Sequence, residues 1–278
     1  MNTNNIILVG LPRSGTTLTC HLLNKLPNTV ALHEPLKPIL FKDDSPAEIT
    51  HRINQFCKQQ RQSLLSQGIA ESRTIGGKVP DNHIQGINQE TGKRANKIDG
   101  DTLKIEKSLS HDFTLIVKHN AFFASILNIL SEAFQCKAII RNPLSVLLSW
   151  NSVDMAVKQG YAPAAERFDQ NLKQLLRTEN DRYKRQIHLL NWYYNQIHEN
   201  IEPSNIIRYE DIISSGGHQL SSITPNAREL NEPLRSKNNN ALYDDKIKPF
   251  LAEKLLKQDE GGYLYYYSKE NIKEILAP

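Results

Sequence analysis

GLPRSGTT, residues 10–17, follows the apolar run IILV at 6–9 and leads into LTCHLLNKL at 18–26. A short apolar run closed by a glycine-bearing loop reads as a buried strand. After the loop, Leu18, Leu22, Leu23 and Leu26 share one helical face until Pro27-Asn28 stops it. TVALHEP (29–35) reads as a second strand ending at Glu34-Pro35. Strand, loop, helix, strand is the opening of a doubly wound α/β fold.

The loop is built to meet an anion. A glycine-rich turn between strand and helix aims backbone N–H groups and the helix dipole at one point. Gly10 and Gly15 have P-loop spacing, but Thr16 stands where a P-loop has lysine. Thr16 and Thr17 bring hydroxyls, and Arg13 brings the charge the missing lysine would have supplied. A planar guanidinium bridges two oxyanion groups well. The competing reading is a tight strand–helix turn carrying a surface arginine.

The bulk numbers narrow the class. The chain has 278 residues and a net charge of +4 from mixed charges, without a clustered basic run, so nucleic acid is not an expected partner. No stretch approaches the ~20 apolar residues of a membrane span, and MNTNN lacks the basic start of a signal peptide. Cys20, Cys57 and Cys136 are too irregularly spaced for a disulfide framework or a zinc site. A cytoplasmic enzyme without a metal is the expectation.

Along the chain, one domain over 1–278 is expected, interrupted by a polar insertion at about 41–111. A helix is predicted around 46–67, with 72–108 partly loop. The insertion reads either as a substrate-contacting element or as a solvated loop. FTLIVK (113–118) and CKAIIR (136–141) read as strands, NAFFASILNILSEAF (120–134) as one amphipathic helix, and a further helix starts near Pro143. Helices near 180–200 and 246–258 and a strand over NIIRYEDI (205–212) complete the pattern. NEPLRSKNNN (231–240) reads as a turn-rich loop.

Strand ends face the ligand crevice in such sheets, and four further stretches reach them. In RNPLSVLLSW (141–150), Arg141 ends a strand and Ser149 lies two turns along the next helix, placed to grip a second phosphate. Glu34, in HEP, can take a proton from an acceptor or form a salt bridge to Arg13. Lys118 and His119, in IVKHN, can touch a transferred group, act as a base, or be structural. Tyr209 lies in RYEDI.

Together PRSGTT, RNPLSVLLSW and RYEDI resemble the PAPS-dependent sulfotransferases, over roughly residues 5–35 and 113–215. PAPS is 3′-phosphoadenosine 5′-phosphosulfate. The resemblance implies a P-loop-like three-layer sandwich with a central, mostly parallel sheet. It implies that Arg13, Ser14, Gly15, Thr16 and Thr17 hold the 5′-phosphate and sulfate, that Arg141 and Ser149 hold the 3′-phosphate, and that Tyr209 contacts adenine. Arg13 and the HEP element look like the tyrosylprotein and bacterial carbohydrate branches, which implies Glu34 as the base. The histidine base of the animal cytosolic enzymes falls near Asn120, which makes His119 the second choice. The family's C-terminal RKG motif is absent, and Arg235 and Lys237 are its nearest replacement.

Sulfuryl transfer carries less negative charge than phosphoryl transfer, so an arginine and N–H donors suffice without Mg²⁺. The chain is also similar to compact bacterial sulfotransferases of natural-product pathways, including cyanobacterial ones acting on saxitoxin-type alkaloids at N or O. A small-molecule acceptor is therefore expected, with Asp43, Asp44, Asp81 or Asp154 available to a cationic one. A P-loop kinase with a degenerate loop and a non-catalytic nucleotide-binding protein are the alternatives.

Overall fold

The structure, a computed structural model, describes residues 4–87 and 94–276. Along the chain run β1 (Asn5–Gly10), α1 (Thr16–Lys25), β2 (Thr29–His33), α2 (Pro46–Gln67), β3 (Ile69–Thr74), β4 (Ile84–Ile87), β5 (Arg94–Asn96), β6 (Gly100–Lys104), β7 (Thr114–Lys118), α3 (Ala121–Ser125), α4 (Leu127–Ala133), β8 (Gln135–Ile140), α5 (Pro143–Asn151), α6 (Gln170–Thr178), α7 (Arg182–Asn200), β9 (Ile206–Arg208), α8 (Tyr209–Ser214), α9 (Ile247–Leu256) and α10 (Lys269–Leu276).

The expected α/β class holds. Five parallel strands form the central sheet in the order β2-β7-β1-β8-β9, with helices flanking it. Every residue of β1 and β2 is buried, which is why these strands are continuous apolar runs rather than alternating ones. From β1 the chain reaches β2 on one side of the sheet and later β8 on the other. Such a reversal opens a crevice at the C-terminal strand ends. Register brings those ends together: Leu8 pairs Lys118, Lys118 pairs His33, Gly10 pairs Ile139 and Ile140 pairs Arg208.

The α2 boundaries match the sequence reading because their signals are local. Ser45 and Glu48 form a reciprocal capping box, Pro46 takes the first turn, and Gly68 closes the helix at φ 68. Two expectations are corrected. The single helix over 120–134 is two, broken at Ile126 (φ −125, ψ 22). In α3, Phe122 and Phe123 pack their rings against His119 at 5.6 and 5.4 Å. The strand over 205–212 ends at Arg208. Tyr209 starts α8, whose first turn carries Glu210 and Asp211, a placement the helix dipole favours. The described residues of 72–108 are partly loop, as expected, and also carry strands, with β3 pairing β6 and β4 pairing β5, both antiparallel. Their inward positions include Ser72 and Thr74, so the period-two pattern carries little hydrophobic signal.

Cys20, Cys57 and Cys136 are free thiols buried in the interior. Among the described residues, no helix is long and apolar enough to cross a membrane.

Candidate active site

A cavity of about 1480 Å³ opens at the C-terminal strand ends. The 10–17 loop forms its floor. Ser14 N–H donates to Leu11 O at 3.0 Å, and Ser14 Oγ donates to Ile139 O at 2.9 Å, so this buried hydroxyl ties the loop to β8. Arg13 (φ 72) and Gly15 (φ 97) both take left-handed backbone, which turns the chain tightly into α1. First-turn amides of a helix have no intrahelical partner, so Thr16 and Thr17 present theirs at the helix start. A Cβ on Gly15 would lie 2.6 Å from the Tyr209 ring, and one on Gly10 would lie 2.4 Å from Ile139 O. Both glycines are there for close approach.

The loop's side chains reach widely separated parts of the chain. Arg13 donates from Nε to Ser149 Oγ at 3.2 Å and from NH1 to Asn82 Oδ1 at 3.1 Å. Thr16 Oγ1 donates to Asn120 Oδ1 at 3.2 Å, and Thr17 Oγ1 lies 3.3 Å from His83 Nδ1. Ser149, eight residues after Arg141, therefore meets Arg13 rather than Arg141.

Arg141 is only 4% exposed. It donates from Nε to Asn238 Oδ1 (2.8 Å), from NH1 to Arg13 O (2.9 Å), and from NH2 to Lys237 O (2.5 Å) and Tyr243 OH (3.2 Å). Its guanidinium stacks on the Tyr209 ring at 4.5 Å, and Lys237 N–H donates to Tyr209 OH at 3.0 Å. Four of five guanidinium hydrogens thus hold the first loop to the 237–243 segment. Arg235 and Lys237 are exposed on the cavity rim.

The same cavity holds a charged cluster. Glu34, at φ 47, accepts from Lys118 Nζ at 2.8 Å on one oxygen and from Arg73 NH1 at 3.1 Å on the other. The salt bridge to Arg13 anticipated as an alternative for Glu34 goes to these two cations instead. Burial pushes the Glu34 carboxyl up, but Lys118, with the nearby histidines and Arg73, holds it well below the usual carboxylate range. Lys118 is fully buried behind it, with His33 Nδ1 at 3.4 Å. His119 donates from Nε2 to Leu36 O at 3.0 Å, which leaves its lone pair on Nδ1. Burial brings His119 down to about 4, and burial with Lys118 and Arg13 brings His83 to about 3. Both are neutral imidazoles near pH 7.

The candidate catalytic and donor-binding residues singled out in the sequence lie in or directly beneath this cavity. Ser14 and Lys118 are beneath it; the others line it. Of the four aspartates offered for a cationic acceptor, Asp81 and Asp154 line it, whereas Asp44 pairs with Arg52 at 2.5 Å and Asp43 is not part of the lining. The sequence reading missed Arg73, Asn82, His83, Asn238 and Tyr243. A bare Asn-His pair in a polar insertion carries no signal that it lies against residues 13–17. Among the described residues, no group of three or more His, Cys, Asp or Glu is placed to hold a metal ion.

No protein-family model matches the chain. No curated protein matches it either. Among solved structures it is similar to the sulfotransferase domain from the Synechococcus PCC 7002 olefin synthase (14% identity, TM-score 0.39, covering 99% of this chain and 94% of that one). It is similar to the sulfotransferase domain from the curacin biosynthetic pathway (16%, 0.39, covering 97% and 95%). It is also similar to sulfotransferase STF1 from Mycobacterium tuberculosis H37Rv (12%, 0.35, covering 98% and 76%).

Proposed function

We propose that the chain is a PAPS-dependent sulfotransferase that moves a sulfuryl group to a hydroxyl or amine of a small molecule. One observation carries this reading. A helix-start anion loop without the P-loop lysine shares one cavity with an ionised carboxylate clamped by two cations. The fit to the donor rests on the same site. The cavity exceeds the ~300–1,000 Å³ of a typical small-ligand pocket, and so has room for a nucleotide and an acceptor together.

In this reading the amides of residues 15–17 and Arg13 hold the 5′-phosphosulfate. Arg141, Ser149, Arg235 and Lys237 face the 3′-phosphate, and Tyr209 the adenine. The acceptor's oxygen or nitrogen attacks sulfur in line, the bond from sulfur to the bridging phosphate oxygen breaks, and adenosine 3′,5′-bisphosphate leaves with that electron pair. Arg13 stabilises the leaving charge. The acceptor's proton passes to Glu34. Arg73, on the cavity wall, is drawn toward the anionic donor, and this raises the basicity of the carboxylate it releases. His119, with its lone pair on Nδ1, is the second choice of base. The acceptor is a soluble small molecule handled in the cytoplasm, and saxitoxin-type alkaloids are one class to screen.

The test is calorimetric binding of adenosine 3′,5′-bisphosphate and of ATP, each with and without Mg²⁺, followed by transfer from PAPS to an acceptor panel. Metal-independent binding of the bisphosphate and transfer to an acceptor support the reading. Binding of ATP alone, or only with Mg²⁺, replaces it with a kinase. Bisphosphate binding with no transfer to any acceptor leaves a nucleotide-binding protein.

A further inference from the structure

The insertion runs back across the mouth of the anion loop. Ser72 Oγ accepts from His33 N at 2.8 Å, Arg73 holds Glu34, Val79 O lies 3.0 Å from His21 Nδ1, Asn82 meets Arg13, and His83 meets Thr17. These contacts join side chains 39 to 69 residues apart to β2, the loop and α1. Arg73, Asn82 and His83 line the cavity, whereas Ser72 and Val79 are buried beside it in the interior.

Asn82 is fixed before it meets Arg13. Its Nδ2 donates to Ile84 O at 2.9 Å, and its Oδ1 accepts from Ile84 N at 3.1 Å. The Ile84 N–H settles which end of the amide is oxygen, and that same oxygen accepts from Arg13 NH1. Arg13 is therefore pinned from two sides, by Ser149 of α5 at Nε and by Asn82 at NH1. Its backbone sits in left-handed conformation at the tip of the loop, where a long side chain unsupported by neighbours would sample many rotamers.

We propose that Asn82 and His83 are positioning residues of the anion site. Asn82 aims the Arg13 guanidinium and His83 orients the Thr17 hydroxyl. The insertion is then a working part of the donor site as well as a wall of the acceptor site. This rests on the sulfotransferase reading above. Preorganising a charged donor removes ordering cost at the moment of binding, so losing the support weakens anion binding without touching the anion itself.

The probe is adenosine 3′,5′-bisphosphate, measured by calorimetry on the full chain. Asn82→Ala weakens binding about tenfold, the scale of one hydrogen bond to a charged group. In an Arg13→Lys background, where no fork is left to aim, Asn82→Ala has little further effect. His83→Ala acts through Thr17, so its loss persists in that background. Unfolding midpoints check that each variant folds. If Asn82→Ala does not fold, Asn82→Ser carries the same comparison, because its shorter side chain can cap Ile84 N–H without reaching Arg13. Wild-type affinity in Asn82→Ala, or an equal loss in both backgrounds, overturns the positioning role and leaves the function standing. Failure of the wild-type chain to bind the bisphosphate overturns both.

Discussion

Replacing Gly15 with alanine tests the geometry of the anion loop, and the fold supplies its own control. Gly15 sits at φ 97, and its added Cβ would lie 2.6 Å from Tyr209 Cδ2 and 3.3 Å from Cε2. Gly76 sits at φ 58, and its added Cβ would meet nothing within 4 Å. Both substitutions incur the left-handed backbone penalty, about 1–2 kcal/mol. Both also lower the entropy of the unfolded chain, about 0.4–1 kcal/mol in the opposite direction. These terms largely cancel between the two variants. What remains is the overpacking at Tyr209, about 1–3 kcal/mol.

Tyr209 has nowhere to retreat at no cost. Its hydroxyl accepts from Lys237 N at 3.0 Å, and the Arg141 guanidinium lies over its ring at 4.5 Å. Urea unfolding should therefore place Gly15→Ala about 1–3 kcal/mol below Gly76→Ala, with unchanged m-values. Bisphosphate binding should fall in the first variant and survive in the second. Equal destabilisation of the two would refute the claim that the loop's glycine exists to let Tyr209 and Arg141 approach.

Three further outcomes are expected. Arg141→Lys keeps the charge but cannot reproduce four hydrogen bonds from a planar fork, so it should cost about 2–4 kcal/mol in unfolding free energy and weaken bisphosphate binding. Glu34→Gln should bind the bisphosphate normally while transfer falls by about 10²-fold or more. It also leaves buried Lys118 without its carboxylate, and the unfolding midpoint should drop. Retained turnover moves the base to His119. Acid should destabilise the chain before its carboxylates titrate. The pKa values of folded His83 and His119, about 3 and 4, lie below the unfolded value near 6.5, and His33 is shifted the same way by burial and Lys118. Between those limits the unfolded chain binds more protons, so stability is full above pH 6.5 and falls as pH drops toward 4, by up to ~1.4 kcal/mol per pH unit for each histidine. Urea midpoints from pH 7.5 to 4.5 measure this slope, and a double His83→Gln, His119→Gln variant with the same slope would refute the assignment.

The parts of the fold legible in the sequence are those whose causes are local. The β1 run, the Gly10–Thr17 turn and the extent of the helix over 46–67 each have causes within a few residues. Arg141 and Ser149 were placed at the crevice by the same logic, as a strand end and two turns of helix. Their partners were not legible. Ser149 contacts Arg13 across 136 residues of chain, and Arg141 contacts Asn238 across 97. The insertion hid its strands because Ser72 and Thr74 are buried through hydrogen bonds rather than hydrophobicity. It hid its part in the site because Asn82 and His83 act by position alone.

The absent lysine has a structural cause in this arrangement. At position 16, Thr16 is 2% exposed, its hydroxyl is bonded to Asn120, and its methyl would be 2.7 Å from a Cβ on Gly10. A four-carbon stem there would displace Asn120 from the start of α3 or push the loop off β1. In the proposed reaction positive charge therefore reaches the donor by other routes. Arg13 rises from the loop itself and is aimed by α5 and the insertion. Lys118 comes from a strand end, but buried and committed to Glu34. Arg73 comes from the insertion and shares that same carboxylate. A P-loop lysine is a single mobile cation serving a phosphate. Here Arg13 is held by Ser149 and Asn82, and Lys118 and Arg73 are held by a carboxylate. That division suits the sulfuryl transfer proposed above, in which charge builds on a leaving phosphate while a proton is removed at the carboxylate.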